Sequence, residues 1–391
     1  MRRIKVLYIS QATGGVQRHI TFLAAHLDRN RFEITGCFPP RDRVKGVNPS
    51  KESFLDVFQR LELRVIPLDM YREIRPLQDL RAFLRLYRIL RKEKWDIVHT
   101  HSSKAGFLGR IAARMVGVPV VIHTPNAFAF DRPPHSALNF FYILLERIVG
   151  SFCDALIAVS PSEEQLARQA RVVSPEKIIL ICNGIDLEEL KWEVDPRKKK
   201  RELGIPGGMS MVLTIGRFAP QKAPGVFIDA AKKVLRERPD TAFVMVGDGP
   251  LFQKVKNQVV KDNLKERLFL FDWRTDAKEI LASCDVYVLS SLWEGLPYTV
   301  LEAMALRKPV VATEARGTRD VVQNEVTGFL VGLRGADQMA EKILTLLSEP
   351  ELARRMGEKA RERVAKEFTL NVHLEKTAAL YERLLTKKGI V

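Results

Sequence analysis

Short β-branched apolar runs alternate along the chain with segments whose apolar residues recur every three or four positions. The first pattern fits a buried strand and the second a helix packed on one face, so their alternation predicts βα units built on parallel sheets. Strands are expected at Ile4–Ser10, Glu33–Phe38, Arg64–Leu68, Asp96–His101, Pro119–Thr124, Ala155–Ser160 and Ile178–Cys182, with helices near 16–28, 52–62, 77–94, 104–117, 136–152 and 162–170. The lysine-rich Asp195–Arg201 stretch and the Pro-Gly-Gly at 206–208 interrupt the series and predict a linker. A second series has strands at Met211–Ile215, Ala242–Val246, Leu268–Phe271, Asp285–Leu289 and Val310–Ala312, and helices near 224–236, 251–262, 276–283, 298–307 and 318–324. After Gly335 the pattern is helical to the end, broken near Phe368-Thr369. The chain therefore predicts an α/β protein of two Rossmann-like domains, residues 1–190 and 191–369, with a last helix in 370–391 that returns to the first domain. A ligand is expected between the domains, at the carboxyl ends of the strands.

The 391 residues exceed one ordinary domain, and a hydrophobic share of 46% excludes a disordered chain. No apolar run reaches the ~18–20 residues that a spanning helix needs. The start, Met-Arg-Arg-Ile-Lys-Val-Leu-Tyr-Ile-Ser, carries only a strand-length apolar run without a small-residue cleavage site, so it is not read as a signal peptide. A cytoplasmic protein is expected. Cys37, Cys153, Cys182 and Cys284 are scattered, without a CxxC pair, and read as reduced thiols.

The net charge of +16 is unevenly placed: residues 1–150 hold 25 basic and 13 acidic residues, a net +12. Nucleic acid, an anionic membrane or a phosphorylated substrate could each attract such a chain. Nucleic-acid binding would call for basic residues interleaved with exposed aromatics, or a reading module, and neither is seen. The densest stretch, Arg72–Lys94, places Leu77, Leu80, Leu84 and Tyr87 at helical spacing and Arg81, Arg85, Arg88 and Lys92 on another face. This predicts an amphipathic helix with a basic stripe, which is either an ordinary solvated face or a surface for anionic headgroups.

Three loops carry candidate chemistry. Gly14-Gly15, at the first strand-to-helix turn, allows backbone amides to approach an anionic group at the helix start. It is not a GxGxxG, so a hydride-transfer cofactor is unsupported. In the second domain Gly216-Arg217 and Lys222 place two cations five residues apart in a Gly/Pro loop, where they can converge on a diphosphate. In Glu294-Gly-Leu-Pro297 and Glu302 one carboxylate follows a strand and a second lies in the next helix. One could hold sugar hydroxyls and the other the paired hydroxyls of a ribose, with helix-start amides facing the phosphates.

Together with Asp96-Ile-Val-His99-Thr-His101, Asn183-Gly184-Ile-Asp186 and Gly247-Asp-Gly249-Pro250, these motifs resemble the retaining GT-B glycosyltransferases of family 4 over essentially the whole chain. The resemblance implies a hexosyltransferase that moves a sugar from a nucleotide-sugar donor, UDP favoured over GDP, to a hydroxyl of a glycan or lipid-diphosphate-linked acceptor in cell-surface polysaccharide synthesis. It implies that Arg217 and Lys222 clamp the diphosphate, Glu294 contacts the donor sugar, Glu302 holds the ribose and Gly15 closes on the phosphates. His123 would touch the donor sugar near the reacting carbon, and the amides of Gly295 and Leu296 would complete the pocket. Where the family usually has Gly after the strand Leu268–Phe271, this chain has Asp272-Trp273-Arg274, which puts Arg274 beside the base and leaves the nucleotide open.

The resemblance also implies a front-face displacement, in which the leaving diphosphate takes the acceptor's proton and the two cations stabilise its growing charge. No D-x-D occurs in the chain, so no metal or other cofactor is expected. Peripheral contact with the inner face of an anionic membrane is expected for a lipid-linked acceptor. A nucleotide-sugar epimerase or glycosyl phosphorylase with two wound domains is the competing reading.

Overall fold

The structure, a computed structural model, describes residues 2–11, 14–40, 53–71, 73–131, 137–191 and 193–390. The starts expected at 52 and 136 for two helices lie outside them. The chain forms two compact units, one reaching Asn183 and resuming at Leu370, the other Gly184–Thr369. The division falls a little ahead of the 190/191 boundary read from the sequence.

In the first unit β1 (Ile4–Ile9), β2 (Phe32–Phe38), β3 (Arg64–Pro67), β4 (Ile97–His101), β5 (Val120–Thr124), β6 (Ala155–Ala158) and β7 (Ile178–Leu180) form one parallel sheet in the order β3-β2-β1-β4-β5-β6-β7. The strand order reverses between β1 and β4, which opens a crevice at their carboxyl ends. The helices are α1 (Gly15–His26), α2 (Phe54–Arg60), α3 (Pro76–Lys92), α4 (Ser103–Val116), α5 (Ala137–Gly150) and α6 (Pro161–Ala170). Local chemistry sets their starts: Ser53 and Asp56 form a reciprocal capping box on α2, and Ser160 caps α6 ahead of Pro161.

In the second unit α7 (Pro196–Glu202) precedes β8 (Ser210–Ile215), α8 (Pro224–Glu237), β9 (Thr241–Val246), α9 (Phe252–Lys261), β10 (Leu268–Phe271), α10 (Ala277–Ala282), β11 (Val286–Leu289), α11 (Tyr298–Ala305), β12 (Val310–Thr313), α12 (Thr318–Val321) and β13 (Phe329–Val331). Its parallel sheet runs β10-β9-β8-β11-β12-β13 and reverses at β8/β11. Helices α13 (Ala336–Ser348) and α14 (Pro350–Glu367) follow. The stretch read as a linker is the helix α7, because Asp195 accepts from the amides of Arg197 and Lys198 and Pro196 opens the first turn. Two of its lysines are also paired: Lys199 meets Asp276, Glu202 and Glu279, and Lys200 meets Asp285.

The face that α3 turns to the core also differs from the expectation. Ala82, Leu86 and Leu90 are its buried residues, the two leucines packed with Leu7, Val98 and Trp95, while Leu77, Leu80 and Leu84 are exposed. The helix carries two apolar stripes, and only the one continued by Phe83 and Ile89 meets the sheet.

The last helix, α15 (Leu370–Lys387), packs Leu380, Tyr381 and Leu385 against Val6, Tyr8 and Ile20 of the first unit. A cluster of buried histidines lies beneath it. His99 bonds the Tyr381 hydroxyl through Nδ1 (2.6 Å) and Thr124 through Nε2 (2.8 Å); His373 Nδ1 donates to the Cys182 carbonyl (2.9 Å), and His19 Nδ1 meets Asn183 (3.0 Å). His101 sits between His99 and His19, with ring centroids 4.1 and 5.2 Å away. Burial pushes the His99 ring down to about 3 and His373 to about 4, and holds His19 and His101 well below the ordinary value.

These rings stay neutral in the folded chain, whereas the unfolded chain protonates near the ordinary 6.5. Their contribution is therefore complete above that pH and is lost as pH falls from there toward the folded values. The denaturant midpoint should accordingly drop between about pH 7.5 and 5.5; a midpoint that is flat or rises on acidification would contradict neutral burial.

Candidate active site

β8 and β11 are neighbours at the reversal point of the second sheet, so the loops that leave them lie side by side. The first loop runs from Gly216 through a 3-10 turn at Pro220–Lys222 into α8; the second runs from Ser290 to Pro297, the N-cap of α11. Four polar links join them. Ser290 Oγ donates to the Lys222 carbonyl (2.7 Å), Leu292 N to the Gln221 carbonyl (2.8 Å) and Gln221 Nε2 to the Trp293 carbonyl (2.8 Å). The fourth is ionic: Lys222 Nζ lies 2.6 Å from Glu294 Oε1, which also accepts from Ser291 Oγ at 2.6 Å.

The second loop is buttressed from behind. Thr313 Oγ1, at the end of β12, donates to the Ser291 carbonyl. Gly317 adopts φ +73°, and a Cβ there would lie 2.1 Å from the Gly295 carbonyl oxygen, so only glycine lets that backbone approach Glu294-Gly295.

A small pocket opens beside the first loop, lined by Gly216, Arg217, Lys222, Met245 and Ser290 among others. Arg217 Nε is buried and has no hydrogen-bond partner among the described residues. A buried donor without an acceptor costs free energy until an acceptor arrives, and a guanidinium is best satisfied by an anionic oxygen. With the Lys222 ammonium on the same wall, the pocket is suited to a phosphate-bearing ligand.

The remaining sequence candidates are placed as follows. Gly295 and Leu296 are buried directly behind Glu294. Glu302 is buried on α11, close enough to Tyr287 to add to the upward push that burial gives that phenol. Arg274 does not line the pocket: its guanidinium forks onto Asp276 at 2.7 and 2.9 Å, beside Lys199.

Gly15 and His123 belong to the first unit. Gly15 opens α1 behind Gly14, whose φ is +71°, with no side chain capping the helix. His123, near the end of β5, is fully buried; its Nδ1 donates to the Thr100 carbonyl (3.2 Å), which leaves Nε2 as the nitrogen with the lone pair. Among the described residues Nε2 has no partner. Burial, and then the Arg110 cation, keep this ring neutral. Gly106 of α4 lies flat against it, since a Cβ there would meet the ring at 2.3 Å. Sequence reasoning missed Gln221, Ser291, Thr313 and Gly317; the only trace of them is the Ser290-Ser291 pair at a strand end.

Comparison with known proteins assigns the class. The family "Glycosyltransferase Family 4" matches residues 13–189 and "Glycosyl transferases group 1" matches residues 195–363. An Escherichia coli UDP-Gal:alpha-D-GlcNAc-diphosphoundecaprenol alpha-1,3-galactosyltransferase is 36% identical over 81% of this chain and 83% of its own length. Among solved structures, Anabaena HepE in complex with UDP and glucose superposes with a TM-score of 0.83 at 20% identity, covering 97% of this chain and 100% of that one. Sucrose-phosphate synthase from Thermosynechococcus elongatus gives 0.80 at 21%, covering 98% and 100%. The fold is thus GT-B, and the chain belongs to the family 4 glycosyltransferases. It is an enzyme of the hexosyltransferase class.

Because Gly317 supports the Glu294-Gly295 backbone from behind, Gly317→Ala should lower the transfer rate about tenfold or more while the circular dichroism spectrum stays native. Full activity in that variant would show that the second loop does not need this support.

Proposed function

We propose that the enzyme moves a hexosyl group from a UDP-sugar to a hydroxyl of a lipid-diphosphate-linked glycan, with retention of configuration. The proposed setting is cell-surface polysaccharide synthesis on the cytoplasmic face of the membrane. The observation that carries this reading is the pocket lined by Arg217, whose buried Nε has no partner among the described residues, and by Lys222, itself in contact with Glu294. A leaving nucleoside diphosphate supplies the anionic oxygens that such a wall lacks. UDP and the lipid-linked acceptor are supported by the galactosyltransferase relative, whose name gives both together with an alpha linkage.

In the proposed reaction the bond between the anomeric carbon and the β-phosphate oxygen breaks. The acceptor hydroxyl oxygen bonds that carbon on the same face and passes its proton to the departing phosphate. Arg217 and Lys222 stabilise the charge that grows on the phosphate, so catalysis is mainly electrostatic preorganisation. Glu294 has two tasks, to hold the Lys222 ammonium in place and to accept hydroxyls of the donor sugar through its remaining lone pairs. Glu302 is assigned to the ribose, and His123 Nε2 accepts a hydroxyl of the sugar. No metal enters this scheme, since the two cations already meet the diphosphate.

Transfer from UDP-galactose to a GlcNAc-diphospholipid tests the reading. Arg217→Ala and Lys222→Ala should each lower turnover by about 100-fold or more, and UDP should be released only when acceptor is present. Near-normal rates in either variant would remove the clamp, and UDP-sugar conversion without acceptor would favour an epimerase. Activity should survive chelation by EDTA; loss that magnesium restores would contradict a metal-free site.

A further inference from the structure

The Lys222 ammonium is placed by a carboxylate, whereas Arg217 has no such anchor. Among the described residues its side chain makes no ion pair or hydrogen bond, and its Nε is buried. A side chain this long samples many rotamers unless something holds it. Beside it lies the turn between β9 and α9, Gly247-Asp248-Gly249. β8 and β9 are paired up to Ile215 and Val246, so the loops that leave them run side by side. Three backbone bonds lace these loops together: Gly216 N donates to the Val246 carbonyl (2.9 Å), Phe218 N to the Asp248 carbonyl (2.6 Å) and Leu251 N to the Phe218 carbonyl (2.9 Å). Arg217 is thus pinned by the residues before and after it. The close approach needs glycine twice. Gly247 and Gly249 stand at φ +153° and +142°, where other residues are strained, and a Cβ on Gly247 would run into the Gly216 carbonyl. A Cβ on Gly249 would lie 2.6 Å from the Phe218 carbonyl oxygen and 2.9 Å from Cγ of Arg217. Phe218 itself is buried, with its ring edge-on to Phe252 of α9 at 5.1 Å between centroids.

We infer that Gly249 is a positioning residue for the transfer reaction: with the turn around it, it fixes the stem of Arg217 by close packing, so that the guanidinium is aimed without a partner of its own. The inference rests on the diphosphate-binding role proposed for Arg217 above, and it adds how that role is prepared. The two cations are then held in opposite ways. Lys222 is fixed through its charge, which Glu294 also partly offsets. Arg217 is fixed through its stem, and its charge stays unshared until an anionic oxygen arrives. A guanidinium already in place loses less freedom when the ligand binds, so the turn contributes affinity without touching the ligand.

The test is a mutant cycle on the full-length enzyme, read by UDP affinity in calorimetry and by transfer from UDP-galactose to a GlcNAc-diphospholipid. Gly249→Ala should weaken UDP about tenfold or more in the native chain and in Lys222→Ala, but less than about twofold in Arg217→Ala, where no guanidinium remains to be misplaced. A merely structural role would cost the same in all three backgrounds. An equal loss in the native and Arg217→Ala chains, or native affinity in Gly249→Ala, would overturn the inference. Should Gly249→Ala lack native circular dichroism, the native chain decides the matter by NMR. The Arg217 Nε–H signal, assigned by its absence from the Arg217→Lys spectrum, should be a single, slowly exchanging resonance before any ligand is added. A signal that appears only with UDP would overturn the inference. Coupling between Gly249 and Arg217 in UDP affinity without any transfer to the acceptor would remove the reaction proposed above and leave the positioning role standing. Normal transfer without that coupling would do the reverse.

Discussion

A lysine ammonium 2.6 Å from a carboxylate holds the second unit's loops in register, and the chemistry of the site depends on that contact. Lys222 and Glu294 are far apart in sequence and come from loops on two neighbouring strands. The pair is not isolated, since three further hydrogen bonds join the same loops and Ser291 adds a donor to the carboxylate. This matters because a lone ion pair near a surface contributes little, whereas one fixed by a hydrogen-bonded frame keeps its geometry when a ligand enters. The frame explains how a flexible lysine can act as a positioned cation. It also keeps Glu294 oriented beside it. Arg217, whose buried Nε lacks a partner among the described residues, is the complementary part: an electrostatic demand that an anionic oxygen would meet.

The first unit solves a different problem. Its sheet buries His99 and His101 of β4 with His19 and His373, all as neutral rings, under a helix contributed by the end of the chain. The contact of His99 with Tyr381 joins that last helix to a central strand by a polar bond within the buried histidine cluster. Buried polar groups of this kind are costly when mispaired, and they favour one register of the returning helix over its alternatives.

The fold was largely legible because buried strands read as short apolar runs between helix-period segments, and every strand except the three-residue β13 was expected near its place. What misled was composition. Lysines made α7 look like a linker although Asp195 and Pro196 spell a helix start, and leucines on both sides of α3 concealed which stripe met the sheet. Of the site, the residue types were legible and their pairing was not. Periodicity carries no information about Lys222 meeting Glu294, because that contact is set by strand order. Gly317 left no trace at all, since its role comes from the closeness of a backbone in another loop. The resemblance put Arg274 beside the base, and its partner Asp276, two residues on, gives no sign in the sequence of which way either side chain turns.

The central claim is that the joined loops present Lys222 as a diphosphate-binding cation. Calorimetric titration of UDP into the native enzyme and into Lys222→Ala tests it most directly. The account predicts measurable binding by the native chain and a loss of about tenfold or more in the variant, as removal of a charge-assisted contact produces. Equal affinity in the two would mean that the ammonium serves only to hold Glu294, and the clamp would have to be assigned elsewhere.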